Sequence, residues 1–131
     1  ICGMAIYAWL SVFVGAGLGA SVRWWLGIAL NHLFPTLPPG TLMANRTGGY
    51  LIGLAIAYFS INTAAPPEVR LLLVTGFLGG LTTFSTFSGE VVTLLMRGEY
   101  AWGVGAASLH LLGSLTCTAL GMLTVRWIAR F

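Results

Sequence analysis

Lysine is absent from this chain of 131 residues, acidic residues number three, and charged residues make up only 7 % of the whole. Soluble domains carry about 25 % charge, so a water-soluble globular class is excluded. The six basic residues, all arginine, are too few and too scattered for a nucleic-acid patch, and no nucleic-acid partner is expected. Two histidines, His32 and His110, and two cysteines, Cys2 and Cys117, show no zinc-ligand spacing. Those cysteines stand near opposite ends in apolar surroundings, so buried free thiols are expected rather than a disulfide. No nucleophile, base and orienting group stand together, and the glycine-rich stretch lacks the lysine of a phosphate loop, so the chain does not read as an enzyme.

What the chain does have is apolar surface. Hydrophobic residues make up 57 % and the mean hydropathy is +0.91. With about 20 apolar residues per crossing, four crossings use the whole length and leave no separate soluble domain. The predicted architecture is all-α: one four-helix transmembrane domain over residues 1–131, with helices near 4–33, 41–61, 69–96 and 101–128. Proline-rich NHLFPTLPPG and NTAAPPE end the first two runs, and RGEY ends the third. The opening run lacks a basic flank and reads as a retained helix. Four crossings put Arg70, Arg126 and Arg130 on one side and Arg97 on the other, with Arg23 expected to snorkel to join it. This bias is too small to fix one orientation.

Small residues recur every fourth position: Gly15 and Gly19, Gly49 and Gly53, and Gly113, Cys117 and Gly121. Such stripes let helix backbones approach closely. Packing within the chain accounts for any one of them; three together point to a dimer.

The chemistry concentrates in TGFLGGLTTFSTFSGE, Thr75 to Glu90. The third segment, uninterrupted, would be about 42 Å long against a hydrocarbon core of about 30 Å. A break near residues 79–83 is predicted, because paired glycines weaken helix and hydroxyls satisfy freed backbone groups. A half-helix end at membrane depth offers carbonyls to a cation or amides to an anion. Beyond the break, Phe84 and Phe87 share a face beside the polar positions Thr83, Thr86 and Glu90. Ring edges are electropositive, so two of them can line an anion path without a trapping charge. Glu90 is an ionisable group in the membrane and so a functional candidate, or else a partner for Arg23. On the fourth helix His110, Ser114 and Thr118 form a line of hydrogen-bonding groups, and Asn45 adds amide donors suited to an anion.

PPGTLMAN at Pro38 to Asn45, then GGYLIG, and above all GGLTTFSTFS closely resemble the signatures of the Fluc (CrcB) family of small fluoride channels, over essentially the whole chain. The resemblance implies an antiparallel, dual-topology homodimer in the bacterial inner membrane that exports fluoride passively and so lowers its toxicity. It implies a sodium ion held structurally by the backbone carbonyls of Gly79 and Thr82. It assigns Asn45, Thr83, Phe84, Ser85, Thr86, Phe87, Glu90, His110, Ser114 and Thr118 to the fluoride path, and Arg23 to its vestibule. A small multidrug-type antiporter, also dual-topology, is the rival; it needs an intramembrane carboxylate, for which Glu90 is the interior candidate.

One position departs from the family pattern, which has an apolar residue where this chain has Arg46. A guanidinium at bilayer depth costs roughly 2.5–3.5 kcal/mol on insertion scales. It is expected to snorkel to the interface, pair with a carboxylate, or attract an anion.

Overall fold

A computed structural model describes residues 2–130, the side chain of Cys2 excepted. Helix α1 (Cys2–Leu30) runs into a 3₁₀ turn, Asn31–Leu33, and is followed by α2 (Pro39–Ile61). The third segment comes in pieces: α3 (Pro67–Arg70), a π-helical run Leu71–Leu78, α4 (Gly79–Leu81) and, after a break, α5 (Phe84–Met96). Helix α6 (Tyr100–Ala129) completes an all-α bundle. Three segments, Gly3–Leu33, Pro67–Met96 and Tyr100–Ala129, are long and apolar enough to cross a membrane. Helix α2 does not reach that hydropathy, although its 23 residues extend about 35 Å. Its polar residues Asn45 and Arg46 lie against neighbouring helices instead of lipid.

Proline starts α2 and α3, where its missing N–H costs nothing and its fixed φ suits the first turn. The α2 start also receives a cap from the preceding loop: Asn31 Oδ1 accepts from the Gly40 N–H at 2.7 Å and the Thr41 N–H at 3.3 Å. Helix α5 ends on Gly98, whose φ of +82° only glycine adopts without strain.

The small-residue stripes are used inside the chain, which removes them as an argument for a dimer. Gly76 packs on α1 so closely that a Cβ would lie 2.9 Å from Gly15 Cα and from the Val12 carbonyl oxygen. Gly53 meets α6 at the Thr118 carbonyl, and its missing Cβ would stand 3.1 Å from Gly121 Cα. Cys117, a free thiol, is half-buried, and Cys2 lies outside the described side chains. Around Ala44, Leu78 and Leu81 gather Leu26, Leu51, Ile52 and Phe77 as a thin core. Most large apolar side chains face outward, as a bilayer solvent permits.

Candidate functional site at the helix break

The break falls within the expected stretch, at Thr82–Thr83, past the glycine pair. Gly79 and Gly80 stay helical, whereas Thr82 and Thr83 are extended, with ψ of 151° and 116°. Gly80 serves packing: a Cβ there would lie 3.0 Å from the Ala20 nitrogen of α1. What opens the helix is Asn45. Its Oδ1 accepts the Thr83 N–H at 2.8 Å, and its Nδ2 donates to the Thr83 carbonyl at 3.1 Å.

The carbonyls of Gly79, Gly80, Leu81 and Thr82 lose their helical donors at the break, and two of those donors find side-chain acceptors. In a continuous helix the Thr83 N–H would bond to Gly79 O and the Thr86 N–H to Thr82 O. Asn45 takes the first, and Thr83 Oγ1, acting as the N-cap of α5, takes the second at 3.2 Å. From the other side Arg23 Nε donates to the Gly80 carbonyl at 3.1 Å. Arg23 therefore braces the break through Nε, and among the described residues it forms no ion pair with Glu90.

Beside the break lies a groove of about 440 Å³, lined among others by Asn45, Thr82, Thr83, Phe84, Phe87, His110 and Ser114. Phe84 meets Phe87 edge-on, with centroids 5.5 Å apart and planes at 72°. Phe87 lies 4.6 Å from the His110 ring. Asn45 Nδ2 approaches His110 Nδ1 at 3.2 Å, and because Oδ1 is fixed by the Thr83 N–H, that contact can only be donated by the amide. Nδ1 is then the acceptor and Nε2 carries the hydrogen. Nε2 is buried with no partner.

The remaining predicted residues divide. Ser114 reaches the groove, but Thr118 does not; its hydroxyl donates to the carbonyls of Gly49 and Ser114, both at 3.0 Å, because the tight α2–α6 contact brings the Gly49 carbonyl within its reach. Ser85 and Thr86 are exposed next to the break, with Ser85 Oγ 3.3 Å from Thr83 Oγ1. Glu90 sits a turn beyond the groove, where its Oε2 accepts from Thr41 Oγ1 at 2.9 Å and its Oε1 is buried without a partner. The sequence reading missed Thr41, although its four-residue spacing from Asn45 puts both on one face of α2. It also took the Asn45 donors as free for an anion, whereas both are engaged with Thr83 and His110.

The family described as "CrcB-like protein, Camphor Resistance (CrcB)" matches residues 10–122. The fluoride-specific ion channel FluC of Nitrosospira multiformis is 61 % identical over 127 residues, 97 % of this chain and 99 % of that protein. Proteins of the same name from Tolumonas auensis and Burkholderia ambifaria are each 56 % identical, over 95 % and 94 % of this chain and 98 % and 97 % of their own lengths.

Proposed function

The chain belongs to the CrcB family, and from that premise we propose how it works: it is a fluoride-specific ion channel, not an enzyme, in the multi-pass class of the bacterial inner membrane. Similarity to fluoride channels over nearly the full length gives the antiporter reading no support.

The observation that carries the mechanism is the buried, unpaired His110 Nε2–H beside the Phe84–Phe87 pair. A donor left unsatisfied at membrane depth is costly unless something accepts from it. A desolvated fluoride is such an acceptor, and electropositive ring edges stabilise it without a formal charge that would hold it too long. Ser114 extends the donor line along α6, and Asn45 acts as the clamp that keeps the break open beside it.

A second copy completes the path. Phe84 is 79 % exposed, with Ser85 and Thr86 open beside it, in the middle of a membrane segment. Irregular backbone and hydroxyls at that depth are tolerated only against protein or in a watery cavity. The small difference in arginine number between the two sides favours an antiparallel arrangement. The Gly79 and Thr82 carbonyls, stripped of their helical donors, suit a sodium ion. That ion would act as a structural bridge between the two copies.

Reconstituted liposomes test the reading: fluoride efflux is expected to be rapid and passive, with chloride excluded and no sodium gradient required. Chloride flux comparable to fluoride overturns it. A single cysteine in the second loop should react from both membrane faces; labelling from one face alone would establish parallel insertion.

A further inference from the structure

Helix α6 carries a second polar line, on the flank away from the groove. Ser108, Leu112 and Thr116 follow at four-residue spacing, and helical geometry turns Ser108 about 200° round from His110. Among the described residues the hydroxyls of Ser108 and Thr116 form no hydrogen bond. Ser11, Ser21, Thr93 and Thr124 instead turn theirs onto the carbonyl four residues back.

Arg46 lies across this flank. Its guanidinium rests on Gly113, where a Cβ would meet Nε at 2.5 Å and Nη2 at 2.7 Å. Nε is buried and unpaired. A cavity of about 360 Å³ opens there, lined by Arg46, Ser108, Leu109, Leu112, Gly113 and Thr116. Helices α2 and α6 run parallel, with Asn45 level with His110 and Gly49 with Ser114. Arg46 is therefore level with residue 111, and its head reaches deeper, to Gly113, rather than back to the α2 start. It does not snorkel. Gly113 stands about 20 Å along α6, near the middle of that helix, which is too deep for a lipid headgroup. Among the described residues no carboxylate answers it: Glu90 is bound to Thr41, and Glu68 and Glu99 sit at segment ends.

We propose that Arg46, with the Ser108 and Thr116 hydroxyls, holds a small, weakly hydrated inorganic anion of the bromide or thiocyanate class in a lateral site separate from the groove. Guanidinium is itself weakly hydrated. The Leu109 and Leu112 walls offer nothing to replace the tightly held water of fluoride, so this site prefers the ions that the groove rejects. The assignment does not depend on what the groove conducts.

Bromide binding to the purified full-length protein in detergent, read from the broadening of the bromide NMR line, tests it. Arg46→Leu is expected to weaken binding at least about tenfold, the scale of a lost charge-assisted contact. Gly113→Ala keeps the charge, and the three atoms nearest its methyl all belong to the movable Arg46 head, so it should unseat the guanidinium and weaken binding in a protein that still folds. Phe84→Ile should bind bromide as the parent does. Binding undiminished in Arg46→Leu or in Gly113→Ala, or lost in Phe84→Ile, overturns the lateral site.

Discussion

Asn45 grips both ends of one residue, Thr83, taking its N–H on Oδ1 and giving Nδ2 to its carbonyl. One side chain of α2 thus engages both backbone groups of the residue at the break, while Thr83 Oγ1 takes the Thr86 N–H. The same Nδ2 orients His110, so break and donor line share one support.

Asn45→Leu should destabilise the fold by about 3 kcal/mol or more, from three lost hydrogen bonds and the stranded polar groups of Thr83. Asn45→Asp keeps the acceptor for the Thr83 N–H but loses both donors, and should fall between the two. Thermal melting in detergent measures the order; a leucine variant as stable as the parent would show that the break holds itself open.

Phe84→Ile and Phe87→Ile each keep an apolar body and remove the electropositive edge. Fluoride efflux should fall at least about tenfold, equivalent to about 1.4 kcal/mol in the barrier, with the protein still folded. Efflux at the parental rate in both would reduce the pair to packing.

His110→Phe preserves a ring beside Phe87 while deleting the Nε2–H and the acceptor for Asn45. Fluoride efflux is expected to drop by at least about tenfold, and chloride should remain excluded, since the path is no wider. A stopped-flow or electrode assay with both ions checks the two statements together.

Gly53→Ala forces a methyl onto the Thr118 carbonyl and should cost about 1–3 kcal/mol or more through overpacking. Gly105→Ala meets nothing within 4 Å and should raise stability by up to about 1 kcal/mol, the helix-propensity gain. Equal melting temperatures for the two variants would contradict the α2–α6 contact.

The proline-marked ends of the helices and the presence of a break were legible because they depend on local chemistry: Pro38, Pro39, Pro66 and Pro67 act within a residue or two. The stretch 79–83 was legible too, but not which of its residues leave the helix. That depends on Asn45 meeting Thr83 across 38 residues, and Gly80 of the glycine pair serves the contact with α1. Arg23 likewise finds Gly80 across 57 residues, a contact that no spacing rule reveals. Thr118 shares the helix face of His110 and Ser114, yet the nearness of Gly49 diverts its hydroxyl. Periodicity assigns a face; it does not say which neighbour reaches that face first.

The partners of α2 also set an order for biogenesis. Thr83, Glu90, His110 and Gly113, which meet Thr41, Asn45 and Arg46, all lie later in the chain. A ribosome delivers α2 to the membrane before any of them has been made. Until then the start of α2 leans on the first helix and its turn, through the Asn31 cap and the contact of Gly40 with the Leu26 carbonyl, while its amide and guanidinium await their partners. The first two helices therefore form a provisional hairpin, and the second half of the chain is what makes its least apolar member at home in the bilayer.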